Sequence, residues 1–181
     1  MKFISDNKAF FMFLLRFAGC YLALAGIYWL YLSQYTTPTP DGITTAVAHQ
    51  TLWGIQFLGE QTYMTPHLTN PSWIFYINNE RIMQIIEGCN AVSVMILFAA
   101  FVVAFYTRFK QVMLFTVAGI AIIHILNIVR ITLLGVAGYH YHQYWHFLHD
   151  IVFPLFIYGV VFFLWVIWVT KFYSNAKKTN P

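Results

Sequence analysis

The sequence predicts an all-α integral membrane protein with about four transmembrane helices, an outer amphipathic helix and a β-hairpin. Of the 181 residues, 60% are hydrophobic and only 9% are charged, whereas soluble domains carry about 25% charged residues. The mean hydropathy is +0.64. So few polar side chains cannot cover a globule in water, and we therefore expect residues 1–181 to form one membrane domain that contacts the lipid bilayer.

Four apolar runs are long enough to cross a bilayer, which takes about 20 helical residues. They are residues 10–31, 89–107, 111–134 and 151–170. The second run reaches spanning length only if Cys89 lies in its first helical turn. The first run follows lysines and contains Cys20, as a lipoprotein signal peptide can, but it continues past the 7–15 residues of a signal core. We therefore expect an uncleaved anchor.

The basic residues predict the orientation of the chain, because Lys and Arg are enriched in cytoplasmic loops. They gather at three places that would share one side: Lys2 and Lys8, Arg108 and Lys110, and Lys171, Lys177 and Lys178. The other side keeps only Arg81 clear of the spans. We expect a multi-pass protein of the cell (inner) membrane with both termini cytoplasmic. The formal charge of +4 could suggest nucleic acid, but the basic residues form no stripe, so no nucleic-acid partner is expected.

Residues 33–87 form the outer segment in this topology. Apolar residues at helical spacing predict an amphipathic helix that lies on the membrane: Ala48, Leu52, Ile55 and Leu58. Further along, residues 73–77 and 81–86 are β-prone and flank Asn78 and Asn79. Two asparagines tolerate the positive φ of a tight turn, so we expect a hairpin that leads directly into the next span.

Three polar residues lie at the ends of apolar segments on the predicted outer side: Cys89, Arg130 and His149. Such residues are costly in a membrane and need a reason. The N-terminus of a helix stabilises a thiolate, which favours a reactive Cys89 over an inert buried one. Glu87 opposes a thiolate unless it binds a substrate amine or orients a partner. We interpret Cys20, near mid-bilayer, as structural.

Arg130 follows Asn127 by one helical turn on the same face. A lipid-facing asparagine is expensive, so we expect this pair to face the protein interior. A guanidinium there could hold a carboxylate or stabilise a developing oxyanion. The alternative is that Arg130 extends to the outer headgroups.

The last outer loop, Tyr139 to Asp150, is rich in histidine: His140, His142, His146 and His149. The spacing of His142, His146 and His149 permits a metal site on a helix. However, no thiol or carboxylate-bearing zinc motif accompanies the run, and aromatic residues also form ordinary interfacial belts. We therefore expect no metal and no cofactor, with His149 as a general base and His146 in support.

Three short motifs resemble the exosortase/archaeosortase family, nearest its small bacterial exosortase F subgroup. They are Gly-Cys-Asn-Ala at the start of a span, Asn-x-x-Arg-Ile near the end of the next, and a histidine that opens the last. The resemblance covers about residues 74–162. The sequence departs from the family pattern at Asn90, where Ser or Thr is frequent, and lacks the glycine expected after His149.

The resemblance implies a membrane cysteine protease or transpeptidase in which Cys89, Arg130 and His149 are catalytic. Its substrates would be exported proteins with a C-terminal tripartite sorting signal, consisting of a short motif, a span and a basic tail. The enzyme would cleave this signal at the outer interface through a thioacyl intermediate and pass the new C-terminus to an unidentified amine acceptor or to water.

Two other classes remain open on sequence alone. A non-enzymatic membrane scaffold would use the outer segments for docking and would tolerate loss of Cys89. A metal or haem carrier would use His124 together with the histidines of residues 140–149.

Overall fold

The computed structural model describes residues 7–36 and 38–173. Three described helices are long and apolar enough to cross a bilayer: Phe10–Leu32, Phe109–His140 and His142–Phe172. Their length and composition support the prediction of an integral membrane protein. Lys2, Lys177 and Lys178, which contribute to the predicted orientation, lie outside the described residues.

Helices make up most of the described chain, with one small sheet. The α-helices are α1 (Lys8–Leu32), α2 (Gly42–Phe57), α3 (Val92–Ala104), α4 (Phe109–His140), α5 (Trp145–Phe147) and α6 (Phe153–Ile167). The strands are β1 (Thr62–Pro66), β2 (Trp73–Ile77) and β3 (Glu80–Ile85). Short 3₁₀ turns cover Glu87–Cys89 and His142–Tyr144, and π-helical segments cover Leu148–Val152 and Trp168–Tyr173.

The chain divides into two compact units by its internal contacts. One consists of the residues up to Leu30, Val92–Ile122 and the residues from Val160 onward; the other consists of Tyr31–Ala91 and Ile123–Gly159. The sequence prediction of a single membrane domain therefore stays a prediction.

Aromatic rings fill the space between helices in the first unit. The ring centroids of Phe13 and Phe105 are 4.4 Å apart, and Trp165 stacks on Phe101 at 4.3 Å. α3 and α6 are apolar on every side, so no apolar stripe defines which face of each helix is packed. The contacts depend instead on the shape and stacking geometry of the aromatic rings.

The second unit contains an antiparallel sheet in the order β1-β2-β3. Asn78 and Asn79, at φ 49° and 67°, turn the chain from β2 into β3. The pairing of β2 with β3 is irregular near Tyr76, where Ile82 is the extra residue. β1, which the sequence did not predict, pairs along the other side of β2.

The core of this unit lies between the sheet, α2 and α4. The residues that form it are Val47, Ala48, Ile55, Phe75, Ile77, Met83, Ile85 and Ile131. A helix is present as α2 where the sequence predicts one, but Ala48 and Ile55 of its predicted membrane-facing side are fully buried in the protein core. Trp53 and Phe57 are exposed on α2 and stack on each other. Contact of this helix with the membrane surface stays a prediction.

The second predicted span is shorter in the structure than the sequence suggests. α3 has 13 residues, so it extends about 20 Å, whereas a bilayer core is about 30 Å thick. The described chain thus has three helices of spanning length and a shorter apolar one, and four crossings stay a prediction.

The predicted loop from Tyr139 to Asp150 is instead largely helical. α4 continues to His140, and a 3₁₀ turn from His142 leads directly into α5. The sequence predicted a loop because the polar Tyr, Trp and His side chains lower the hydropathy of residues 139–150. The same side chains are compatible with helix geometry.

The close approach of Gly54 in α2 to Thr132 in α4 can be tested by adding a methyl group at Gly54. A Cβ atom at Gly54 would lie 2.6 Å from Oγ1 and 3.2 Å from Cγ2 of Thr132, which is buried. Thr is stiff at χ1, so we expect overpacking of about 1–3 kcal/mol to outweigh the helix-propensity gain of about 1 kcal/mol. Gly54→Ala should lower the midpoint of thermal unfolding in detergent.

The matched control is Gly26→Ala in α1, where an added Cβ meets nothing within 4 Å. This variant should be as stable as the wild type or more stable. An unfolding midpoint for Gly54→Ala at or above that of Gly26→Ala would contradict the close approach of the two helices.

Candidate active site

Cys89 lies in a 3₁₀ turn between the end of β3 and the start of α3. Its N–H donates to the carbonyl of Ile86 at 2.9 Å, and the N–H of Asn90 donates to the carbonyl of Glu87 at 3.1 Å. Ala91 then has a φ of 61°, which interrupts any continuous helix. The prediction that Cys89 lies in the first turn of a span was wrong: the helix begins at Val92.

The side chain of Asn90 anchors the thiol turn to α2. Asn90 is 1% exposed, and its Nδ2 donates to Oγ1 of Thr44, which is fully buried, at 3.1 Å. The N–H of Thr44 in turn donates to Asp41, the N-cap of α2. The backbone of Asn90 is itself in the right-handed helical region, at φ −80° and ψ −4°. The break before α3 therefore lies at Ala91.

Asn127 joins the thiol turn to α4. It is fully buried, as the sequence predicts, and its Nδ2 donates to the carbonyl of Cys89 at 2.8 Å. Its Oδ1 accepts a long hydrogen bond of 3.4 Å from Nη1 of Arg130. One buried amide thus positions both the main chain of Cys89 and the guanidinium of Arg130.

The guanidinium of Arg130 is close enough to Cys89 and to Tyr158 of α6 for electrostatic interaction. The side chain is partly buried, and its Nε is buried without a hydrogen-bond partner. A buried N–H without a partner is costly and needs an explanation. A carbonyl oxygen that gains negative charge beside the thiol would supply the missing acceptor.

His149 lies in the π-helical segment Leu148–Val152. Its Nδ1 is 2.6 Å from Oδ1 of Asp150, and its ring stacks on Trp145 with centroids 5.9 Å apart. Where Nδ1 carries the proton and donates to the carboxylate, Nε2 is left as a proton acceptor. In the part of the chain that the structure describes, no hydrogen bond or ion pair joins His149 to Cys89 or Arg130.

Glu87 and His146, which the sequence suggests as supporting residues, differ in how far they are buried. Glu87 is partly buried and begins the turn that carries Cys89. His146 is almost fully exposed, and its Nδ1 lies 3.7 Å from Oδ2 of Asp150. Asp150 is therefore shared by His146 and His149.

Sequence reasoning missed three residues of this site. Tyr158 gave no signal, because it stands in a continuous apolar run. Thr44 lies in another segment, and only the fold brings it to Asn90. Asp150 could have been found as a partner of His146, since residues four apart lie on the same helix face; its contact with the adjacent His149 is seen only in the structure.

Three of the four histidines of residues 140–149 pair with carboxylates. Nε2 of His140 lies 2.6 Å from Oε1 of Glu60, and His146 and His149 share Asp150. Among residues 7–36 and 38–173, no group of three or more His, Cys, Asp or Glu side chains is arranged to hold a metal ion.

Comparison with protein families adds an independent finding. The model of the transmembrane exosortase family, of the EpsH type, matches residues 9–170 of this chain. Comparison with curated proteins and with solved structures gave no match. The family match extends over α1, the sheet, the thiol turn and both helices that carry Arg130 and His149, and the chain therefore belongs to the transmembrane exosortase family.

Proposed function

We propose that the protein is a cysteine transpeptidase that cleaves the C-terminal sorting signal of exported proteins, with Cys89 as the nucleophile. The observation that carries the proposal is the coupling of Cys89 and Arg130 through the buried Asn127. Family membership supports the class of reaction. The substrate motif and the acceptor amine are further parts of the proposal that no contact in the structure addresses.

In the first half-reaction the sulfur of Cys89 attacks a peptide carbonyl, so that a C–S bond forms. Arg130 stabilises the tetrahedral oxyanion, and a guanidinium with a free Nε is suited to this because it keeps its charge and presents a planar set of donors. Collapse of this intermediate breaks the C–N bond, and the substrate's membrane tail leaves as an amine.

In the first half-reaction His149 takes the thiol proton and gives it to the leaving amine. In the second half-reaction an acceptor amine, or water, attacks the thioester, so that a C–N or C–O bond forms and the C–S bond breaks. His149 takes a proton from the acceptor and returns it to the sulfur of Cys89. Asp150 orients the imidazole through Nδ1. The distance between His149 and Cys89 must shorten when substrate binds, as is common for catalytic groups seen without substrate. π-helical turns are frequent at functional sites, which supports a functional role for the segment Leu148–Val152.

The central prediction concerns the thiol itself. Cys89→Ser nearly preserves the shape of the turn, but a serine hydroxyl is almost wholly un-ionised at neutral pH and is the weaker nucleophile. We expect no thioester and no processing in this variant. The measurement is acid quenching of membranes, release of the bound peptide from the purified protein with hydroxylamine, and identification of that peptide by mass spectrometry.

Cys20→Ala is the matched control, because Cys20 lies in α1 and only one thiol is proposed to react. It should form the adduct at the wild-type level. Continued processing in Cys89→Ser, at wild-type expression, would rule out thiol catalysis and favour the scaffold.

A second prediction separates His149 from the other histidines. His149→Ala should slow acylation of Cys89 by about 10²–10⁴-fold, the usual contribution of a general acid–base group. Asp150→Asn should reduce the rate less, because the imidazole remains but loses its oriented partner. Rates of adduct formation in membranes would measure both.

The control for this series is His142→Ala. His142 is exposed and lies in the histidine-rich stretch of residues 140–149. Its acylation rate should be unchanged. Equal losses in His142→Ala and His149→Ala would indicate that the segment as a whole matters and that His149 is not the base.

We also infer that the site faces outward from the cell membrane with both termini in the cytoplasm, from the distribution of Lys and Arg. In a background without Cys20 and Cys89, a thiol introduced by His142→Cys should react with an impermeant maleimide in intact cells. A thiol introduced by Lys177→Cys should react only after permeabilisation. Labelling of Lys177→Cys in intact cells would reverse the topology.

A further inference from the structure

We propose that the open edge of β3 binds the substrate segment that precedes the cleaved bond, and that this segment adds to the sheet as a fourth strand parallel to β3. This inference rests on the proposed function and specifies how the enzyme would hold its substrate. The occupant is an extended peptide, recognised mainly through its main-chain N–H and C=O groups.

The first argument is the position of β3 in the sheet. The order is β1-β2-β3, so β3 pairs with β2 on one side only. α2 packs against β1 and β2. Within residues 7–36 and 38–173, no other strand pairs along the far edge of β3. An unpaired strand edge offers a row of main-chain donors and acceptors to an incoming peptide.

The second argument is the path from this edge to the thiol. β3 ends at Ile85, and the turn that carries Cys89 begins two residues later. Ile86, between them, is 49% exposed and could contact an apolar substrate side chain. A Cβ atom built on Gly88 would meet nothing within 4 Å. The space at Gly88, between the end of the strand and Cys89, is therefore open.

The third argument is chain direction. In the enzyme a strand leads to Cys89, and the apolar helix α3 begins three residues later. The proposed substrate has the same order: an exported part, the cleaved bond and then an apolar span. Parallel pairing with β3 would bring the scissile carbonyl to Cys89 and direct the following span onward past the thiol. Antiparallel pairing would direct the leaving span back along the strand.

The length of usable edge is limited by the irregularity at Ile82, because a bulge disrupts the hydrogen-bond ladder. The regular part of β3 runs from Met83 to Ile85, which at about 3.3 Å per residue is roughly 10 Å. This length accommodates a recognition segment of about three residues.

The experiment uses a synthetic peptide whose sequence is the one released from the Cys89 thioester, extended by the residues that follow it in its source protein. Single N-methyl groups are placed at successive positions before the cleaved bond. In a parallel ladder alternate residues point their N–H groups at the partner strand. We expect kcat/KM for acylation to fall about tenfold or more at alternate positions, with little change between them.

The enzyme-side test is Gly88→Ala, measured with the unmethylated peptide. Nothing obstructs a methyl group in the free protein, so the variant should fold and unfold like the wild type. If substrate backbone occupies this space, acylation should slow about tenfold or more. Gly26→Ala, equally unobstructed but in α1, should acylate at the wild-type rate.

The outcomes distinguish this inference from the function on which it rests. A thioester on Cys89 together with uniform effects of N-methylation, or with full activity in Gly88→Ala, would overturn strand addition and leave the transpeptidase standing. Absence of any thioester on Cys89 would overturn both.

Discussion

The two hydrogen bonds made by the buried amide of Asn127 organise the candidate site. Without them the carbonyl of Cys89 would lose its partner, and Arg130 would lose the group that fixes one of its nitrogens. An amide suits this position because it is donor and acceptor at once. A carboxylate could not donate to a carbonyl, and a hydroxyl could not reach both partners in one geometry. Truncation would leave a buried carbonyl unsatisfied, at about 1–3 kcal/mol.

Arg130 of α4 supplies a positive charge close enough to Cys89 for electrostatic interaction. Asn127, one turn earlier on the same helix, accepts a hydrogen bond from this guanidinium. In the proposed reaction the same cation would stabilise the oxyanion that forms on the substrate carbonyl.

Much of the architecture can be predicted from local sequence. Long apolar runs give α1 and α4, and the Asn78-Asn79 pair gives the turn from β2 to β3 because few other residues accept its positive φ values. Burial of Asn127 follows from the cost of exposing it to lipid. In each case the conformation or burial follows from the chemistry of the residue itself and needs no distant partner.

What could not be predicted depends on partners distant in sequence. β1 reads Thr-Tyr-Met-Thr-Pro, which has no clear pattern until β2 pairs with it. The positive φ of Ala91 separates Cys89 from α3, and Asn90 finds its partner, Thr44, 46 positions earlier in the chain. Tyr158 looks like any other aromatic residue of an apolar helix until α4 brings Arg130 beside it.

The sequence separations in the site have a consequence for biosynthesis. Cys89 and the sheet are made early, but their partner Asn127 comes 38 positions later, and Tyr158 later still. Chains emerge from the ribosome N-terminus first and fold in parts as they do. The thiol therefore reaches the membrane with its carbonyl unanchored and no guanidinium beside it. In the proposed reaction Cys89 would gain its partners only once α4 has been inserted. An incomplete chain in the translocation machinery would then carry an ordinary cysteine that does not attack other exported proteins in transit.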